Sequence, residues 1–201
     1  MTDKEFFNKI KNDVITDMKE SGILASLTAS QAYCESAHGS SGLTQKANNL
    51  FGMKGSYNGQ YVTMKTKEFV NGEYITVDAA FRKYPDWLSS IKDHSALFNR
   101  LARYKNLRGL KDYKLACTYV QQDGYATSPS YASTLINIIE KYKLYEWDLL
   151  ETEPVQTDPE LDAAIEIIAR RVIAGRFGVG HENRKAKIYE LIKTKVNDIL
   201  K

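Results

Sequence analysis

Three features of this 201-residue chain predict an α+β fold. Apolar residues recur at helical spacing over most of the first 150 positions. One Asn71-Gly72 pair separates two strand-like runs, the signal of a tight antiparallel hairpin. Helices and strands do not alternate, as a parallel α/β sheet would require.

The elements follow in order. Thr2-Asp3-Lys4-Glu5 is a capping-box pattern. Phe6, Phe7, Ile10, Val14, Ile15 and Met18 follow it at helical spacing, and Gly22 closes the helix. A second helix is predicted from near Ser26 to His38, ending at Gly39. The stretch after it, SSGLTQKANNLFGMKGSYNG, is rich in Gly, Asn and Ser and reads as loop. From Tyr61 the period changes to two, and FVNGEYITV carries the hairpin turn. Asp86, after Pro85, caps a helix bearing Trp87, Leu88, Ile91, Leu97, Phe98 and Leu101. Two further helices are predicted near 111–122 and 130–142.

The chain breaks once, at ETEPVQTDPE (151–160), which holds two prolines and four acidic residues and no basic one. That is linker composition. It divides the chain into a larger domain, 1–150, and a tail, 161–201, that is near the lower size limit for independent folding.

Composition narrows the function classes. The chain is 43% apolar and 26% charged, an ordinary globular balance. No apolar run approaches the ~18 residues of a membrane span, so membrane insertion is not expected. The opening MTDKEFFNKIKND has no signal-peptide core, which predicts synthesis in the cytoplasm without an export signal. A net charge of +3, evenly spread, does not suggest nucleic acid. Two cysteines read as free thiols. His38, His94 and His181 share no metal-ligand spacing, so neither metal nor cofactor is expected. Thirteen tyrosines and two tryptophans supply flat amphipathic rings of the kind that grip sugars, or that fill a core.

The chemistry rests on carboxylates. Glu35 ends a helix with an apolar side, beside a glycine-rich loop. Half-burial there would raise its pKa, as a general acid near neutral pH requires. Glu68, on the hairpin arm, is the second candidate, and Glu73, beyond the turn, competes with it. A carboxylate on a helix end and another on a β arm form an arrangement used to cut glycosidic bonds. Cys34 and His38, four residues apart, offer a rival Cys-His pair, but a mid-helix thiol lacks the helix N-terminus that would activate it. Asn48-Asn49 is open to two readings, turn chemistry or sugar contact.

The run LTASQAYCESAHGSSGLTQKANNLFGMKG resembles the signature of glycoside hydrolase family 73, the bacterial and phage glucosaminidase domain. The matching elements are Gln31, Glu35-Ser36, Gly39 to Leu43 and Asn48 to Lys54. TKEF with NGEY, FRKYPDWLSSIKDH, and DGYATSPSYASTLINIIEKYKLYEWD match in the same order, over about 20–148. Ser128 stands where the family usually has aspartate. The resemblance implies a lysozyme-like, mostly helical domain with a small β-hairpin arm. It would cut the β-1,4 bond after N-acetylglucosamine in the glycan strands of peptidoglycan. It implies catalytic roles for Glu35, as general acid, for Glu68 and for Tyr125. It further implies substrate contacts at Gln31, Asn48, Asn49, Phe51, Tyr84 and Tyr131. Muramidase or lytic transglycosylase action in the same cleft, and a non-catalytic wall-binding protein, are the alternatives.

The tail, IIARRVIAGRFGVGHENRKAKIYELIKTKVNDIL, resembles the CW-seven cell-wall-binding repeat through Ala169-Arg170, Ile173 to Gly175, Phe177 to Gly180 and Val196-Asn197. It implies a small three-helix module, with Arg170 and Arg184 as candidate wall contacts. Together the two resemblances imply a phage endolysin, released from the host cytoplasm through a membrane lesion at lysis, or else a tail-associated lysin; a monomer is expected.

Overall fold

The computed structural model describes residues 1–70 and 72–149, with the side chains of residues 68–70 outside that description. The chain divides into two compact units, Met1–Thr152 and Glu153–Lys201. The acidic linker, the tail module, Arg170 and Arg184 therefore lie outside the described residues.

Helix α1 (Asp3–Ser21) starts at the capping box. The Thr2 amide donates to the Glu5 carboxylate at 2.8 Å, and the Glu5 amide donates to the Thr2 hydroxyl at 3.3 Å. It buries Phe6, Phe7, Ile10, Val14 and Ile15. Gly22, in the left-handed region, stops it. Helix α4 (Trp87–Arg100), capped by Asp86, packs on α1. Part of that contact is polar: buried Asp17 accepts hydrogen bonds from Ser95 at 2.5 Å and Ser21 at 3.3 Å. Burial holds its pKa up at about 6 in spite of these bonds.

Helix α2 (Ala25–Glu35) is the centre of the unit. Every side chain from Ala25 to Ala32 is buried, and the small residues among them let α1, α5 (Tyr113–Gln122) and α6 (Tyr131–Lys141) approach closely. Its N-terminus has no cap of its own. Asp148, in the 3₁₀ segment Leu144–Leu149, supplies one by accepting from the Ser26 amide at 2.8 Å and the Ser26 hydroxyl at 2.6 Å. The negative carboxylate also complements the positive end of the helix dipole.

Two sequence expectations are corrected. Helix α2 ends at Glu35, not at His38, because Ala37 (φ 50°), His38 (φ 57°) and Gly39 (φ 77°) are all left-handed. A short helix α3 (Gly42–Ala47), capped by Ser41, stands where loop was expected. Its six residues are too few for hydrophobic periodicity to register.

Strands β1 (Tyr61–Val70) and β2 (Glu73–Arg82) pair antiparallel over ten residues each, from Tyr61 opposite Arg82 to Val70 opposite Glu73. The ribbon is tied down at its base. The Arg82 amide donates to the Met53 carbonyl, and the Gly55 amide to that of Ala80. Arg82 and Tyr84 side chains both donate to Asp93 of α4, at 2.5 and 2.6 Å. Among the described residues of its far half, side chains of β2 such as Tyr74 and Ile75 are exposed. The inner face carries Val62, Met64 and Thr66 from β1 and Val77, Ala79 and Phe81 from β2. Met64 reaches α3: a Cβ placed on Gly42 would meet its Cε at 3.8 Å. Among the described residues, no helix is long and apolar enough to cross a membrane.

Candidate active site

The site forms where α2 stops. Burial of the whole helix up to Ala32 makes Glu35 its first carboxylate to emerge. The side chain reaches solvent, yet the surrounding protein crowds it enough to raise its pKa above the usual carboxylate range. The negative end of the α2 dipole acts in the same direction.

One hydrogen bond opposes that rise. Tyr131 donates to Glu35 Oε1 at 3.0 Å, which favours the charged form. Tyr131 is in turn held by the buried Gln31 amide, which donates to its oxygen at 3.1 Å. Gln31 lies one helical turn before Glu35 on α2, and Tyr131 opens α6. The three therefore form a donor chain from the core to the carboxylate. Tyr125 stacks against Tyr131, with ring centres 5.9 Å apart and planes at 22°.

The turn after Glu35 is strained and heavily tied. Two successive non-glycine residues in the left-handed region cost of order 1–3 kcal/mol each. Buried Ser36 holds the turn: its hydroxyl donates to the Ala32 carbonyl at 2.5 Å and accepts from the Gly39 amide at 2.8 Å. The His38 amide donates to the Tyr33 carbonyl, and the Ser41 amide to that of Ser36. His38 stacks on Tyr33 with ring centres 4.0 Å apart, and its Nδ1 lies 3.4 Å from the Asp3 carboxylate.

A family model described as glucosaminidase, mannosyl-glycoprotein endo-β-N-acetylglucosaminidase, matches residues 11–144, a span that includes every site residue above except Asp3. The chain belongs to the glucosaminidase family. It is 44% identical over 149 residues to the exo-glucosaminidase LytG of Bacillus subtilis, covering 72% of this chain and 52% of that protein. It is 33% identical over 131 residues to the peptidoglycan hydrolase FlgJ of Escherichia coli, covering 62% of this chain and 42% of that one. The catalytic domain of the autolysin Auto from Listeria monocytogenes superposes with a TM-score of 0.69 at 34% identity, over 72% of this chain and 86% of that one. This chain thus spans about half or less of the length of these curated relatives. Its helical body with a two-stranded arm is the lysozyme-like glucosaminidase fold, that of a glycoside hydrolase.

Within this glucosaminidase domain the sequence-predicted residues divide into two sets. Gln31, Glu35, Tyr125 and Tyr131 come together at the end of α2, with Gln31 fully buried behind Tyr131. Asn48, Asn49, Phe51 and Tyr84 form the framework beneath the arm, where their polar groups are used by the protein itself. The Asn48 amide donates to the Tyr84 and Pro85 carbonyls at 3.1 and 3.0 Å. Buried Asn49 donates to Met53 and Arg82 carbonyls, both at 2.9 Å, and accepts from the Met53 amide at 3.0 Å. Both amides thus serve turn chemistry. Tyr84 is 2% exposed with its hydroxyl on Asp93, and Phe51 is 6% exposed against His94. Neither ring presents a broad open face in this structure, and Gln31, at 0% exposure, presents none.

The Glu68 side chain lies outside the described residues. Its backbone pairs with Ile75, and strand alternation puts position 68 on the inner face with Met64, about 13 Å further along the strand. Glu73, opposite Val70, falls on the same face, closer to the tip. Burial first, and then the charge of Glu35, push the Cys34 thiol up to about 11, away from the thiolate that a nucleophile needs. With His38 committed to Tyr33 and Asp3, no Cys-His pair forms. Among the described residues, no cluster of His, Cys, Asp or Glu is suited to a metal.

Sequence reasoning gave three contributors no part in the site. Ser36 and Asp148 act through contacts with backbone that no spacing reveals. His94, considered only as a metal ligand, is buried behind Tyr125.

The opposing effects on Glu35 give a signed prediction. Replacing Tyr131 by Phe removes the bond that stabilises the carboxylate, so the Glu35 pKa should rise further. The alkaline limb of a rate-against-pH profile for Tyr131→Phe is expected to shift to higher pH than wild type. A shift to lower pH would show that Tyr131 does not act on Glu35 as a donor.

Proposed function

We propose that this chain hydrolyses the β-1,4 bond after N-acetylglucosamine in peptidoglycan, with Glu35 as the general acid. The observation that carries this reading is the single carboxylate emerging from the buried helix α2, its pKa raised by crowding and its position held by Tyr131. Similarity to the exo-glucosaminidase LytG supports the sugar specificity, and similarity to the peptidoglycan hydrolase FlgJ supports the substrate class.

In this reading the Glu35 proton passes to the glycosidic oxygen as the C1–O bond breaks. The acetamido oxygen of the same N-acetylglucosamine attacks C1, and water then opens the resulting ring, returning a proton to Glu35. The substrate's own nucleophile removes the need for a protein carboxylate at the ~5 Å spacing of a classical retaining pair. Glu68, at an inner-face position of an arm tied to the body at its base, would polarise the acetamido group or position water once the arm closes over the glycan.

Purified cell walls treated with the full chain should release new reducing ends that mass spectrometry identifies as N-acetylglucosamine. N-acetylmuramic acid ends, or anhydro-muramic ends, would establish a muramidase or a transglycosylase instead. Proton NMR of the first-formed anomer tests the route: a β product supports the acetamido path, and an initial α product would assign Glu68 as a base for water.

The tail reading is carried by sequence resemblance alone. We infer that 161–201 holds the enzyme on the wall, raising its effective concentration at an insoluble substrate, as in a phage endolysin that reaches the wall after release from the cytoplasm. The doubly substituted full chain, Arg170→Ala with Arg184→Ala, should then pull down less on purified walls while retaining its rate on soluble muropeptides. Equal pull-down would remove both arginines from the wall-binding role.

A further inference from the structure

Behind Tyr125 lies a buried polar group for which the reaction above has no role. His94, on α4, is 0% exposed. Its ring stacks on Phe51 at 3.9 Å and 12°, and meets Phe98 edge-on at 4.5 Å. Nε2 lies 3.1 Å from the Tyr125 hydroxyl, while Nδ1 is buried with no hydrogen-bond partner among the described residues. An imidazole in so apolar a place is costly unless its one polar contact matters.

We propose that His94 is a positioning residue that fixes the hydrogen-bond polarity of Tyr125, turning the tyrosine's own proton away from α4 and toward the Glu35 side as a donor to an oxygen of the bound sugar. The proposal rests on the glycan-cleaving reading above.

The tautomer carries the argument. Burial pushes the His94 pKa down to about 3, so the ring is neutral and holds one proton. If that proton sat on Nδ1, a buried N–H would be left without an acceptor, the rarest and most costly kind of orphan. Nε2 would then accept from Tyr125 and consume its proton. With the proton on Nε2, the orphan is only a lone pair, and Nε2–H donates to the tyrosine oxygen. Tyr125 keeps its proton firmly, because burial and the nearby charge of Glu35 both raise its pKa. That proton must find an acceptor on a side other than His94. Tyr131, stacked alongside, receives a bond from Gln31 and donates to Glu35. The site thus has two parallel donor chains, Gln31 to Tyr131 to Glu35, and His94 to Tyr125 to the substrate.

Two measurements on the full chain test this. In the first, proton–nitrogen NMR of nitrogen-15 histidine-labelled protein reads the tautomer directly. The Nε2-protonated form is expected for His94, unchanged from pH 5 to 8. An Nδ1-protonated ring overturns the proposal, whatever the activity.

The second is a set of initial rates on purified walls. His94→Phe keeps the stack on Phe51 but removes the donor, and is expected to lower kcat about tenfold with little change in KM, the effect of one lost hydrogen bond. His94→Gln, whose amide offers a donor near the Nε2 position, should recover most of that loss. In a Tyr125→Phe background, His94→Phe should cost less than twofold. A full tenfold cost in that background would show that His94 acts independently of Tyr125, and the proposal would fail. Should His94→Phe not fold, as judged by circular dichroism, His94→Gln and the tautomer decide. A wild-type chain that releases no new ends would overturn the functional reading instead, while the NMR result would still report the polarity of the bond.

Discussion

Glu35→Gln is expected to lower the rate of reducing-end release from cell walls by at least ~10²-fold, the lower end for loss of a general acid. The substitution keeps size and shape. The amide oxygen still accepts from Tyr131, so the donor chain from Gln31 survives, but there is no transferable proton. The fold should be unaffected by circular dichroism. Stability gives a second readout with a definite sign. A carboxyl group whose pKa is raised on folding favours the folded state below its unfolded pKa, and that contribution is lost as pH rises through the folded pKa. Above that pH, Glu35→Gln should therefore be at least as stable as wild type in thermal melts. Near-wild-type turnover in this variant would end the assignment of Glu35. A variant both inactive and much less stable would point to a structural role.

The second large effect is expected one turn later. Gly39→Ala should destabilise the catalytic unit by about 2–4 kcal/mol, combining left-handed strain with overpacking. Gly39 has φ 77°, and an added Cβ would lie 2.7 Å from the far edge of the Trp87 ring and 3.2 Å from Phe6. Neither ring has room to move: Trp87 is 7% exposed and Phe6 is fully buried. The melting temperature should fall by roughly 5–15 °C for a domain of this size. Because the Gly39 amide donates to Ser36, the residue after Glu35, activity measured well below the melting temperature should fall as well. Unchanged stability in thermal melts would mean that the turn rearranges without cost, and that its strain does not position Glu35.

Much of the fold was legible because local signals agree with the final structure. The Thr2–Glu5 capping box, Gly22 as a stop, Asp86 as a cap and Asn71-Gly72 between strands each place an element boundary. The end of α2 was not legible. QAYCESAHG continues a plausible helix to its glycine, and it is the left-handed backbone of Ala37 and His38, tied by the Gly39 amide to Ser36, that takes the chain out of the helix after Glu35. The site was legible as a family pattern, but the pattern does not separate function from framework. Asn48 and Asn49 look like polar residues offered to a sugar, whereas every amide hydrogen bond they make is to backbone holding the arm to the body.

By itself the sequence determined the elements whose causes are local: helix caps, hairpin turn, periodicity, and the carboxylate at the end of a helix of small, buried residues. Tertiary structure alone decided how that carboxylate is tuned. Its partner Tyr131 is 96 residues away in sequence, and the cap of its helix, Asp148, is 122 residues beyond Ser26. The pKa of Glu35 is raised by burial and opposed by a hydrogen bond from Tyr131, a partner its sequence neighbours do not supply. Desolvation and hydrogen bonding depend on distance through space, and a chain that returns to Glu35 only at α6 records that distance nowhere in its local pattern.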